Sequence, residues 1–167
     1  QSFKECVLRL KINFYIRWDD LSEGDKYAND KKAIQALNDQ LQYYKEVSDS
    51  LSMYRSYKFI GHMELGIDNF EKSILANKEA FKIIKVFNQH SHEVKDIKRL
   101  DIAEISFNLF YAYFSSSKDL ELEKFYLNIA KEYSGIYDLK LTHFTCLLFD
   151  AIIAAEKDSY YTEKEIA

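Results

Sequence analysis

The sequence of 167 residues contains no proline and only four glycines. Proline interrupts helices, and glycine serves the tight turns on which strand-and-loop architectures depend, so a fold of many short strands is disfavoured. Long helices joined by short turns fit this composition, and we predict an all-α fold. Thirteen tyrosines and twelve phenylalanines are expected to fill wide spaces between the helices.

The sequence also has only two cysteines and no excess of positive charge. Cys6 and Cys146 are distant in the sequence and have no CxxC companion, which is typical of reduced thiols in a cytosolic protein. The net charge of −4 disfavours nucleic-acid binding, because such surfaces are basic. The longest apolar run, 144–155, contains Asp150 and is too short to span a bilayer. We therefore expect a cytoplasmic protein with protein or peptide partners, bound to neither nucleic acid nor membrane.

Apolar residues recur at helical spacing in seven segments. The segments are predicted at 3–18, around 34–44, at 51–66, 70–87, 100–114, 122–135 and 139–155. The cluster 48–50 favours a helix cap, Asp68 or Asn69 can cap the fourth helix, and Gly135 is predicted as the C′ glycine that stops the sixth. The polar stretch 88–95 is expected to connect helices four and five. Thr162 begins a capping-box pattern, which predicts the start of an eighth helix.

The third and fourth segments match the tetratricopeptide pattern of paired helices. The first copy contains Tyr57, Ile60, Gly61, Ser73 and Ala80. A looser second copy includes Leu109 and Tyr113, and a third is predicted to turn at 158–160, where its second helix is missing. We predict antiparallel helical hairpins, with an N-terminal helical region at 1–47 and repeats at 48–167, the last incomplete. A plain helical bundle explains the same periodicities.

The order of these segments resembles the Rap proteins of Gram-positive bacteria, a family of peptide-responsive tetratricopeptide regulators. The matching stretches are 11–13, 57–80, 103–132, and Cys146 with Ala151. The resemblance implies a cytosolic quorum-sensing regulator whose N-terminal helices bind a two-component response regulator. Its concave repeat surface would bind a short signalling peptide. Family members are longer, so the resemblance also implies that the chain is a fragment.

Candidate binding residues follow from the basic first helix and from the resemblance. The candidates for contact with the response regulator are Arg9, Lys11, Arg17 and Asp49. An ordinary solvated helix face is the alternative interpretation of those basic residues. The groove geometry of tetratricopeptide arrays gives peptide-binding candidates, which are Arg55, Lys58, His62, Glu104, Asn108 and Tyr111. Cationic and amide groups beside aromatic surface can hold an extended peptide by its carboxylate and backbone.

Catalysis is left open by the sequence. Phosphatase members of the Rap family carry a glutamine near the start of the third helix, which positions water against an aspartyl phosphate, but the stretch 47–51 contains none. Asp49 is a poor substitute, because a carboxylate repels the developing negative charge. Gln40 and Gln42 are weak catalytic candidates if the register is shifted. The alternatives are a binding-only regulator, an aspartyl-phosphate phosphatase, and a helical scaffold or adaptor without a ligand.

No cofactor or metal is expected. His90, His92 and Glu93 are suitable ligand types, but they lack the HExxH spacing and no fourth ligand is indicated. The apolar face within 139–153 predicts self-association through the last helices if nothing else covers it.

Overall fold

A computed structural model describes Val7 and residues 10–12, 28–90, 95–116, 119–136 and 139–166. Six helices are α1 (Ala28–Glu46), α2 (Ser50–Gly66), α3 (Phe70–His90), α4 (Lys95–Ser116), α5 (Leu120–Ile136) and α6 (Lys140–Ile166). Val7 and residues 10–12 are helical as well, and these described ranges contain no β-strand. The predicted all-α class is confirmed. Most of the predicted first helix, including Arg9 and Arg17, lies outside the described residues.

Each of the six helices packs against the next one along the chain. In addition, α2 contacts α4, and α4 contacts α6. These contacts place α2, α4 and α6 side by side, with α3 packed against α2 and α4, and α5 packed against α4 and α6. None of the helices in the described part of the chain is both long enough and apolar enough to cross a membrane.

Two clusters of buried apolar side chains hold the helices together. The larger one is centred on α4, where Ile105, Leu109 and Phe110 have no exposed surface. Phe149 of α6 packs its ring edge-to-face on Phe110, with 4.9 Å between the ring centroids. The smaller cluster contains Ile12, Ala36, Leu37, Leu41, Ile60 and Ala76. Its members lie on α1, α2 and α3 as well as at Ile12, so the cluster joins these helices. Burial of apolar surface between helices is the main force that stabilises such a fold.

The same hydrogen-bonded turn recurs between helices. Three backbone amides bond to the carbonyl five residues earlier, from Asp49 to Tyr44 (3.0 Å), from Asn69 to Glu64 (2.8 Å) and from Leu139 to Ser134 (3.0 Å). Such bonds are typical of the Schellman motif, which satisfies carbonyl groups left free at a helix end. The recurrence gives α1, α2 and α5 the same kind of C-terminal ending.

In the turns after α1 and α2, the left-handed positions are not occupied by glycine. Ser48 has a φ of 54° and Asp68 a φ of 59°, whereas Gly61, Gly66 and Gly135 all lack a positive φ. Short polar side chains tolerate this conformation better than bulky ones do. The prediction of Gly135 as the C′ glycine is wrong, since Gly135 lies inside α5, which ends at Ile136.

Two predicted boundaries are also wrong. The turn at 158–160 and the helix start at Thr162 both fall inside α6, which continues to Ile166. This stretch has no proline or glycine, so the local signals of serine and threonine do not interrupt the helix. The connection predicted at 88–95 is shorter than expected, because α3 extends to His90 and α4 begins at Lys95.

Candidate functional site

Lys58 of α2 forms ion pairs with two carboxylates of α4. Its ammonium nitrogen lies 2.6 Å from Asp101 Oδ1 and 2.6 Å from Glu104 Oε2. Asp101 and Glu104 are three residues apart, so both project from the same face of their helix. The side chains of Lys58 and Asp101 are only 20% and 18% exposed, and that of Glu104 is 49% exposed. These three residues, termed the Lys58 cluster, join α2 to α4.

The surroundings raise the pKa of Lys58 and that of the neighbouring Tyr54. Burial alone would lower the pKa of Lys58, but its hydrogen bonds to Asp101 and Glu104 and their charges together raise the pKa above the usual value. Tyr54, one turn earlier, is buried, and burial followed by the neighbouring Asp101 carboxylate raises the pKa of its hydroxyl. At neutral pH Lys58 is therefore an ammonium group and Tyr54 a neutral phenol.

The predicted peptide-binding residues lie on α2 and α4, and the structure brings two of them, Lys58 and Glu104, into direct contact. Arg55 and His62 are exposed about one turn before and after Lys58. Asp101 was missed by the sequence prediction, although it stands three residues before Glu104 on the same helical face. The α2–α4 face is defined here as Arg55, Lys58, His62, Asp101, Glu104 and Tyr111.

Two further predicted residues differ in accessibility. Tyr111 is 39% exposed, and its ring centroid lies 6.3 Å from that of Phe149 on α6. Asn108 is only 6% exposed, and its side-chain nitrogen has no hydrogen-bond partner in the described part of the chain. Tyr111 is therefore accessible at the protein surface, whereas Asn108 is buried.

The predicted partner-binding residues are only partly described. Lys11 is helical and exposed. Asp49 is the N-cap of α2, where its carboxylate accepts hydrogen bonds from the Ser52 hydroxyl (2.7 Å) and the Ser52 backbone amide (3.0 Å). These two bonds, the hydroxyl bond first, lower the pKa of Asp49. Capping accounts for this carboxylate without any partner protein.

The two catalytic candidates occupy different environments on α1. Gln40 is only 7% exposed, so its amide has little surface with which to orient a water on another protein. Gln42 is exposed, and its amide nitrogen lies 3.5 Å from Glu46 Oε1 on the next turn. Of the two, only Gln42 can reach a bound protein in this conformation.

His143, Ser134 and Cys146 carry reactive side chains, but hydrogen bonding or burial gives each of them a structural role. His143 Nδ1 lies 3.1 Å from the Lys131 carbonyl and 3.3 Å from the Ser134 hydroxyl, which is fully buried and donates to that same carbonyl. This arrangement joins α5 to α6, and burial keeps Ser134 from acting as a nucleophile. Cys146 is fully buried, and burial raises the pKa of its thiol to about 11. The described residues contain no group of three potential metal ligands, and His92 and Glu93 lie outside them.

Comparison with known proteins adds no family. No protein-family model and no curated protein sequence matches the chain. Membership of the Rap family therefore stays a prediction. The Lys58 cluster and the α2–α4 face together form the candidate functional site.

Proposed function

We propose that this chain is a Rap-like cytoplasmic regulator that binds a bacterial response regulator and is controlled by a short signalling peptide on the α2–α4 face. The observation that carries the proposal is the Lys58 cluster. It holds charges of both signs at the boundary between two helices, partly exposed and flanked by Arg55 and His62. An extended peptide presents both donors and acceptors, and this face offers matching groups of each kind.

The helical arrangement supports the proposal of antiparallel tetratricopeptide-like hairpins. Consecutive helices pack together, and α2, α4 and α6 also contact one another in sequence, as the inner helices of a repeat array do. In this proposal the N-terminal helical region at 1–47 precedes repeats at 48–167.

Peptide binding can be coupled to regulation through the ion pairs of the Lys58 cluster. A peptide carboxylate that pairs with Arg55 and Lys58 competes with Asp101 and Glu104 for the same ammonium group. Weaker pairing would loosen the connection between α2 and α4. The response regulator would sense this change only if it binds the two arrangements of α2 with different affinity.

The first experiment measures peptide binding by fluorescence polarisation with a pool of synthetic pentapeptides. Lys58→Met keeps the apolar length of the side chain and removes its charge, so peptide affinity is expected to fall by about tenfold, or 1.4 kcal/mol. Lys82→Met is the matched control, since Lys82 is 75% exposed and lies 4.0 Å from Glu79 away from this face. Equal affinities for the two variants would contradict the proposed site.

The second experiment separates a binding-only regulator from a phosphatase. A phosphorylated response regulator is incubated with the protein, and both complex formation and the lifetime of the phosphoryl group are followed. An unchanged lifetime in a confirmed complex shows binding alone. A shorter lifetime shows catalysis, and Gln42→Ala should then restore it while Gln35→Ala, on the same helix, should not. Binding of neither peptide nor response regulator would favour the scaffold alternative.

A further inference from the structure

A pocket of about 600 Å³ lies between α1, α2 and α3. Residues 57, 60 and 64 of α2 line it together with Ile67, which follows the helix, whereas residues 55, 58 and 62 belong to the α2–α4 face. At 3.6 residues per turn these two sets point to different sides of α2, so the pocket is a separate site. Its volume is in the range of small-molecule sites, which runs from roughly 300 to 1,000 Å³.

Half of the residues that line the pocket are apolar, and the charged ones are Lys31, Glu64, Lys72 and Glu79. Ile34 and Leu41 of α1 and Ile60 of α2 are buried and line the pocket. Glu64 of α2 also lines the pocket, although this residue is only 4% exposed. A carboxyl group in such a place is costly unless hydrogen-bond donors surround it.

Glu64 lacks one of the donors that it requires. Its Oε2 atom accepts no hydrogen bond from the described residues. Burial raises the pKa of Glu64, although the charge of Lys72 and a hydrogen bond from Asn69 act in the opposite direction. Lys72 lines the same pocket, but it donates no hydrogen bond to Oε2. A buried acceptor without a donor is an exception among native proteins and indicates a missing partner.

We propose that this pocket binds a small organic cation, a primary amine on an apolar body, whose ammonium group donates to Glu64 Oε2. A charged donor is favoured over a neutral one at Oε2, because charge-assisted hydrogen bonds are roughly twice as strong. The apolar body would pack against Ile34, Leu41 and Ile60. This site is independent of the proposed peptide site, since it uses another face of α2.

Methyl NMR with two matched compounds tests the proposal. Phenethylamine is expected to shift the methyl signals of Ile34, Leu41 and Ile60 in a saturable manner. Its neutral analogue 2-phenylethanol, which has the same ring and chain length, should bind at least about tenfold more weakly, a difference of 1.4 kcal/mol. Glu64→Gln should reduce the affinity for the amine to that for the alcohol. Glu132→Gln, at an exposed position on α5, should leave it unchanged.

A second variant keeps the test informative if Glu64→Gln does not fold. Leu75 lines the pocket and is 66% exposed, so Leu75→Lys is expected to fold and to add a further positive charge at the pocket beside Lys31 and Lys72. This variant is expected to weaken phenethylamine binding. Equal affinity for amine and alcohol, unchanged amine binding in both pocket variants, or no methyl shift at the solubility limit of the amine would each overturn the proposal. None of these results bears on Lys58→Met and its peptide affinity.

Discussion

The closest approach between α2 and α3 gives the sharpest test of the packing. A methyl group added at Gly61 would lie 2.4 Å from Asn77 Nδ2, 2.6 Å from Asn77 Cγ and 2.8 Å from Asn77 Oδ1. Asn77 is fully buried, and its amide donates to the Ser73 carbonyl at 3.0 Å and to the Ser73 hydroxyl at 3.1 Å. The Ser73 hydroxyl in turn donates to the Gly61 carbonyl at 2.8 Å. Asn77 therefore cannot move away without losing hydrogen bonds.

The expected cost of Gly61→Ala follows from these contacts. Overpacking a core costs roughly 1–3 kcal/mol, and each hydrogen bond lost from Asn77 adds about 1 kcal/mol. Replacing glycine by alanine inside a helix returns about 0.5–1 kcal/mol. The free energy of unfolding should thus fall by roughly 1–4 kcal/mol, which for a chain of this size lowers Tm by about 2–15 °C.

Thermal and urea unfolding followed by far-ultraviolet circular dichroism measures this loss. Gly66→Ala is the matched control, because an added methyl there meets nothing within 4 Å and Gly66 has no positive φ. It should be neutral or stabilising by up to about 1 kcal/mol. Adding Asn77→Ala to Gly61→Ala removes the clash and should recover part of the stability. If Gly61→Ala is as stable as Gly66→Ala, the reasoning from close approach is refuted.

Two further predictions concern the cap of α2 and the surface of α6. Asp49→Ala should lower the free energy of unfolding by about 1 kcal/mol at neutral pH. Because the pKa of Asp49 is lowered in the folded protein, this difference should shrink as the pH falls through that pKa. Equal losses at acid and neutral pH in urea unfolding would contradict the prediction. Leu141, Phe144 and Leu148 are 80%, 65% and 50% exposed on one stripe of α6, which predicts self-association at micromolar concentration. Light scattering should show smaller particles for Leu141→Glu, and a monomeric wild type would rule the association out.

Local interactions explain which parts of the fold were predictable. The short side chains at 48–50 predict the end of the second predicted helix, and the corresponding helix α1 ends at Glu46. The next helix, α2, begins at Ser50 because Asp49 caps it through Ser52, only three residues away. The end near Gly66 was expected too, and the helix ends there. The turn predicted at 158–160 is wrong because aspartate and serine only weakly disfavour a helix, so that neighbouring residues decide the outcome. Boundaries set by a cap are therefore readable from sequence, and those set by weak preferences are not.

The site was less predictable because its contacts are distant in sequence. Lys58 and Asp101 are 43 residues apart, and their contact depends on how α2 packs beside α4. The groove geometry of tetratricopeptide arrays predicted Lys58 and Glu104 as residues of a common surface, although they lie on different helices. It could not reveal that Asp101 shares the ammonium group with Glu104.

Glu64 shows the same limit more clearly. In the sequence it is one charged residue near the end of a helix, a position that is normally exposed to solvent. It becomes buried because α1 and α3 pack on either side of α2, so its surroundings come from three helices at once. The missing hydrogen-bond donor at Oε2 emerges only when all three are in place. A residue whose unusual state depends on several helices carries no local signal, and α2 consequently has one face that the sequence could predict and one that it could not.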